Sequence, residues 1–237
     1  MNPEQPFQRV IFDCDSTLSR IEGVDELSAA HRDEIARLTA EAMSGRVPLE
    51  EVYGRRLELI RPLRNDVATV GRLYIENAVP HAREVVQALK SLGKEVRVVS
   101  GGLRLAVVTF AGWLGLRDEQ VHAVKVYFDT DNRYKAFDAA SPLVRSGGKR
   151  AVVEGLPSLR TAFVGDGITD AEVRGAADCF VCFGGVVLRP EVAATADAVV
   201  RSESLAGVLP VLCTADELAK LRRDPRLERL MAAAANA

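Results

Sequence analysis

Two aspartates one residue apart, Asp13 and Asp15, close the apolar run Arg9-Val10-Ile11-Phe12, and a second acidic pair, Asp166 and Asp170, follows Thr161-Ala162-Phe163-Val164. Alternating side chains in an extended segment put Asp13 and Asp15 on one side, about 6 to 7 Å apart along the chain. Carboxylates that crowded repel each other unless a cation lies between them or they divide the work of nucleophile and acid. Two further clusters suit an anion. Ser100-Gly101-Gly102 ends another apolar run and offers a hydroxyl and free backbone N–H groups beside a helix start, and Lys149 follows Ser146-Gly147-Gly148. Carboxylates for one hard cation, with a hydroxyl and a lysine for its anionic partner, point to Mg2+ and phosphate. Each cluster alone is ordinary: a solvated Asp pair, a turn, a surface lysine. All four fall at the ends of strand-like runs or the starts of the helices that follow. A calcium loop counted from Asp13 fails, because Leu18 and Val24 stand where its glycine and its last glutamate belong.

The elements that must position these groups alternate in character. Short β-branched or aromatic runs at 9–12, 95–99, 161–164, 178–183 and 198–200 read as buried strands, and helical periodicities lie between them. The expected fold is α/β, a doubly wound, mostly parallel, Rossmann-like sheet covered on both faces. Residues 121–137 read as a hairpin decorating that sheet, and 214–237 as a helix with a fraying Ala-rich tail. From Val24 to about Ile75 apolar residues recur at helical spacing with no strand between them. This is too long for a crossover helix and follows directly on the Asp13 loop, as a lid does. The expected division is a core of 1–18 and 77–237 with a small helical cap domain inserted at 19–76.

Composition narrows the classes. The 237 residues are 48% hydrophobic and 27% charged, with a formal net charge of -2, so no basic footprint suggests nucleic acid or an anionic membrane. Four cysteines make no disulfide scaffold, and Cys179-Phe180-Val181-Cys182 lacks the second pair or histidine of a zinc site. No apolar stretch is long enough to span a bilayer and the first residues do not resemble a signal peptide, so the expected compartment is the cytoplasm.

The order D-x-D-x-T (13–17), Ser-Gly-Gly (100–102), Lys149 and G-D-G-x-T-D (165–170) resembles the haloacid dehalogenase superfamily of aspartate-nucleophile phosphatases. Segments 13–18, 22–27, 42–48, 146–149 and 183–189 look like its phosphoserine phosphatase family, the eukaryotic type above all. The likeness runs over roughly residues 8 to 205. It implies an Mg2+-dependent phosphomonoester hydrolase working through an aspartyl-phosphate, with Asp13 as nucleophile and Asp15 as general acid and then base. It implies a metal held by Asp13, Asp166 and the backbone carbonyl of Asp15, supported by Asp170. Ser100, Gly101, Gly102 and Lys149 would cradle the phosphate. Met43, Ser44, Thr169 and Arg189 would touch the substrate, and Glu22 and Arg56 would face its ammonium and carboxylate. The implied partner is a small phosphate ester, O-phospho-L-serine, acted on by a monomer or homodimer. Ser44, Leu49 and Leu103 depart from the glycine, aromatic and phenylalanine usual there, which bears on pocket shape rather than on chemistry. Two rivals fit the same residues: a capped phosphatase for another small ester, and a receiver-type signalling domain, which needs no sixty-residue insertion.

Overall fold

A computed structural model describes residues 2–27, 32–43 and 47–236. Among them the strands are β1 (Arg9–Phe12), β2 (Glu95–Leu103), β3 (Val121–Val124), β4 (Val126–Phe128), β5 (Tyr134–Phe137), β6 (Thr161–Gly165), β7 (Cys179–Phe183) and β8 (Ala198–Val200). Six form a wholly parallel sheet in the order β3-β2-β1-β6-β7-β8, and β4 and β5 pair antiparallel apart from it. All of β1 and β6 is buried, as a sheet covered on both faces requires. From β1 the chain moves outward to β2 and β3, then returns across the sheet to β6 on the other side of β1. Strand order therefore reverses between β1 and β6, and open α/β sheets bind ligands in the crevice at such a reversal. Both acidic pairs follow these two strands directly.

The helices are α1 (Arg32–Met43), α2 (Leu49–Ile60), α3 (Arg64–Glu76), α4 (Ala82–Ser91), α5 (Arg104–Leu114), α6 (Gly148–Glu154), α7 (Ile168–Ala171), α8 (Pro190–Ala193), α9 (Leu209–Leu212), α10 (Ala215–Arg222) and α11 (Glu228–Ala235). Helices α1 to α3 are the insertion after β1. On α2 the spacing of Val52, Tyr53, Arg56 and Leu57 puts all four on one buried face. On α3 the buried set is Val67, Val70, Gly71 and Tyr74. Helix α3 packs along α5, and the missing side chain of Gly71 permits the approach, since a Cβ there would lie 2.8 Å from Thr109 Cβ.

Three local expectations change. Strand β2 does not stop at Val99 but runs through Ser100-Gly101-Gly102 to Leu103, with a shift of register against β3 over that stretch. The glycines bulge the strand rather than end it. The 121–137 run is not one hairpin, because β3 joins the main sheet beside β2 and only β4 and β5 form the hairpin. The C-terminal segment does not fray within its described part: Leu218, Leu221, Leu230, Met231 and Ala234 are buried, and α11 rests on the turn Leu205–Val208. Cys14, Cys182 and Cys213 are buried free thiols and Cys179 a half-buried one. No helix among the described residues is long and apolar enough to cross a membrane.

Candidate active site

Strand β1 delivers Asp13 to the crevice, its backbone N–H still on the ladder to Val164 O at 2.9 Å. The chain then turns at once, with Leu18 and Ser19 N–H both returning to Cys14 O. Asp13 and Asp15 thus share a pocket through a turn rather than along an extended strand. Strand β6 ends at Gly165, whose bare Cα makes room for Asp170, since a Cβ there would fall 2.3 Å from Asp170 Cγ. Asp170 Oδ2 accepts the backbone N–H groups of Asp166 (3.0 Å) and Gly167 (2.8 Å), and its Oδ1 faces Lys149 Nζ at 2.6 Å. Asp166 Oδ1 accepts the Thr17 hydroxyl at 2.8 Å.

Asp13, Asp166 and Asp170 are all buried and each brings a carboxylate oxygen within 4.8 Å of the others. Lys149 Nζ stands 2.8 Å from Asp13 Oδ1, an ion pair that bridges Asp13 and Asp170. Burial first, then the charge of Asp170, holds the Asp13 carboxyl well above the usual carboxylate range. Burial likewise pushes Asp166 up to about 8, although Arg189 pulls the other way. Burial pulls Lys149 down, but Asp13 and Asp170 outweigh it and keep the ammonium firmly protonated. Three buried carboxylates converging on one spot, with one lysine for three negative charges, fit a divalent cation that prefers oxygen.

One pocket gathers eight of the residues expected at the site: Asp13, Asp15, Glu22, Arg56, Gly101, Gly102, Lys149 and Thr169. Ser100 lies just behind, donating to Asp15 Oδ2 at 3.3 Å and accepting the Gly102 N–H at 2.9 Å. Glu22 accepts the Ser16 hydroxyl at 2.7 Å, and burial, then the charge of Asp15, pushes its carboxyl up to about 8. Arg189, the other residue expected at the substrate, sits beside the acidic cluster. It donates to Asp166 Oδ2 and is not part of the pocket wall. Ser44 lies outside the described residues, as does the side chain of Met43, whose backbone closes α1.

The structure also brings in groups that the motifs did not single out. Tyr53 lines the pocket and donates to Gly101 O at 2.8 Å, and the Arg56 guanidinium lies 5.5 Å from its ring centre. Leu143 and Arg145 complete the wall, and Tyr74 donates to Asp15 at 2.6 Å. Helical spacing was the available signal for the tyrosines, since Tyr53 precedes Arg56 by three residues and Tyr74 follows Val67 and Val70 at 7 and 4. Nothing local marks Arg145.

Residues 7–178 match the model of the haloacid dehalogenase-like hydrolases. The chain is 37% identical over 198 residues to the chloroplastic phosphoserine phosphatase of Arabidopsis thaliana, covering 80% of this chain and 67% of that one. It is 35% identical over 189 residues to the phosphoserine phosphatase of Homo sapiens, covering 77% and 84%. A solved phospho-aspartyl intermediate analogue of phosphoserine phosphatase superposes with a TM-score of 0.74 at 25% identity, over 86% of this chain and 98% of that one. An aspartate-tipped reversal point in a parallel sheet thus coincides with agreement along most of the chain, and the protein belongs to the haloacid dehalogenase-like hydrolases, beside the phosphoserine phosphatases.

Proposed function

We propose that this enzyme hydrolyses O-phospho-L-serine to L-serine and phosphate with Mg2+. In this reading residues 19–76 are a lid over a core of 1–18 and 77–237. Asp13, Asp166 and the Asp15 carbonyl hold the ion, with Asp170 fixing the surrounding shell. When bound, Mg2+ polarises the phosphoryl group and offsets its charge. Lys149, Ser100 and the N–H of Gly101 orient the phosphate, with Gly102 and Thr169 beside it. Asp13 attacks phosphorus in line, the ester P–O bond breaks, and Asp15 gives its proton to the departing serine oxygen. Asp15, now ionised, takes a proton from the water that attacks the aspartyl-phosphate, which returns Asp13 as carboxylate and releases phosphate.

The substrate rests on one observation: Glu22 and Arg56, a half-buried acid and a buried base from the insertion, line the same pocket as the phosphate-directed groups. An amino-acid ester carries an ammonium and a carboxylate on one carbon. An ammonium supplies a counter-charge for Glu22, whose carboxyl the charge of Asp15 disfavours, and a guanidinium grips a carboxylate with two parallel hydrogen bonds. Losing one such buried partner costs about 2 to 5 kcal/mol, on the order of 30- to several-thousand-fold in kcat/KM. Glu22→Ala and Arg56→Ala should each lower kcat/KM for O-phosphoserine by that much. Both should leave p-nitrophenyl phosphate, which lacks both charges, within about tenfold, the allowance covering impaired lid closure. Equal losses on both esters would assign the two residues to the fold or the lid and remove the case for phosphoserine.

A further inference from the structure

The carboxyl of Asp15 is held asymmetrically. Its Oδ1 accepts two short hydrogen bonds, from the Tyr74 hydroxyl at 2.6 Å and from the Gly23 backbone N–H at 2.7 Å. Its Oδ2 has the Ser100 hydroxyl alone, at 3.3 Å. A carboxylate oxygen has two lone pairs, so Oδ1 is filled, and a proton there would confront two donors. The proton of a neutral Asp15 therefore belongs on Oδ2. That oxygen lies toward Gly102 of the pocket wall, where a Cβ would come within 3.2 Å of it. Ser100 does not conflict with this, because its long contact at 3.3 Å uses one lone pair of Oδ2 and leaves the other position for the proton.

Both donors come from the insertion and both are fixed. The Tyr74 ring stacks on Phe110 of α5, centres 5.6 Å apart, and α3 is held against α5 at Gly71. Gly23 does two things at once. Its N–H reaches Asp15, and its lack of a side chain makes room for the phenol, since a Cβ there would fall 2.0 Å from the Tyr74 hydroxyl oxygen. Tyr74 is not part of the pocket wall, so it acts only through Asp15.

We infer that Tyr74, with the Gly23 N–H, is a positioning element for proton transfer: it fills Asp15 Oδ1 and so commits Oδ2 to giving the proton to the leaving oxygen and taking one from water. The inference rests on the acid and base role proposed for Asp15. Without the clamp the carboxyl can turn, and an arrangement with the proton directed away from the ester becomes available.

The test uses Tyr74→Phe, which keeps the ring and removes only the hydroxyl, with kcat/KM as readout because it reports phosphoryl transfer to Asp13 and not the later hydrolysis. Expected is a loss of about 10- to 100-fold on O-phosphoserine, whose alkoxide needs a proton, and of less than about threefold on p-nitrophenyl phosphate, whose leaving group does not. Inhibition by inorganic phosphate should be unchanged. In an Asp15→Asn background, Tyr74→Phe should cost nothing further on O-phosphoserine, because both changes disable one device. Equal losses on the two esters, or a full additional loss in the Asp15→Asn background, would reduce Tyr74 to packing and overturn the inference. Asp15→Asn alone separates the two levels. If it spares p-nitrophenyl phosphate and Tyr74→Phe does not, only the inference fails; if it strikes both esters alike, the acid role of Asp15 fails and takes the inference with it.

Discussion

Glu50, in the first turn of α2, accepts both the backbone N–H and the hydroxyl of Ser146, at 3.0 and 3.1 Å, three residues before Lys149. The insertion is thereby tied to the loop that leads to Lys149 of the pocket wall. A second tie on the same helix, Tyr53 to Gly101 O, reaches the other side of the pocket. The Ser146 N–H stabilises the ionised form of Glu50 and lowers its pKa, so the tie is intact at neutral pH and is lost only as pH falls through that lowered value. Glu50 is exposed, and contacts of that kind are worth little individually. Glu50→Ala should raise KM about twofold to fivefold with kcat nearly unchanged, and adding Tyr53→Phe should raise it further. A fall in kcat at constant KM would mean that the contact serves chemistry rather than closure.

Asp13→Asn should fold normally and lose about 10^4-fold or more in kcat, because an amide is a poor nucleophile. Asp13 and Asp166 also belong to the cluster fitted for the cation. Mg2+ should therefore raise the Tm of the wild type, and this shift should shrink or vanish in Asp166→Asn, an effect readable without any assay of turnover. Exhaustive chelation should abolish hydrolysis. Ca2+ should inhibit, since it takes more oxygen ligands at longer distance and can engage both oxygens of Asp13. A chelated enzyme at full rate would remove the metal from the mechanism.

Much of this site could be read from the chain because its groups are anchored by short-range rules. Asp13 and Asp166 end apolar runs that only a covered parallel sheet accommodates, and Lys149 sits just inside a helix start marked by two glycines. What escaped depends on long-range register. Tyr74 meets Asp15 across 59 residues of chain, through the packing of α3 on α5, and no local pattern encodes which tyrosine of a helical insertion reaches a given carboxylate. The run 121–128 reads continuously, yet it breaks at Lys125 because β3 pairs with β2 while β4 pairs with β5, a choice made by tertiary partners. The Ala-rich terminus is held by what it covers, with Leu230, Met231 and Ala234 buried, and that contact too is made by tertiary partners.

Gly148 should tolerate no side chain. A Cβ there would lie 1.9 Å from the carbonyl oxygen of Pro142, a backbone atom that cannot swing aside. Relief requires moving the Pro142–Val144 turn or the start of α6, and with it Lys149 and the pocket residue Leu143. Gly148→Ala should lower kcat/KM at least about tenfold, since displacing a charge-bearing group by about 1 Å is enough for that. Gly155, at the other end of α6, is the control. Its φ of -79° suits any residue and its nearest neighbour would be 3.4 Å from a Cβ, so Gly155→Ala should be neutral or slightly stabilising.

The last prediction concerns Lys94 and Glu217, which join the C-terminal helices to the core far from the pocket in sequence and function. Lys94 Nζ is buried, donating to Phe7 O at 2.8 Å and to Glu217 Oε1 at 2.6 Å. The other oxygen of Glu217 accepts the Thr214 N–H at 2.9 Å, and the Thr214 hydroxyl accepts the Glu217 N–H, so the same residue caps α10. Removing its side chain leaves the buried ammonium with the Phe7 carbonyl alone and takes away one of the two bonds of the cap. The first effect alone costs about 3 to 5 kcal/mol, and the lost half of the cap adds up to about 1. For a chain of this size each kcal/mol lowers Tm by about 2 to 4 °C, so Glu217→Ala should lose roughly 6 to 24 °C while keeping kcat at permissive temperature. Burying a charge pair is often no better than burying two apolar groups, so Lys94→Met combined with Glu217→Leu should recover much of that loss, less the cap. If the double variant melts no higher than Glu217→Ala, the stranded charge is not the cause, and the packing of α10 and α11 depends on the geometry of this ion pair itself.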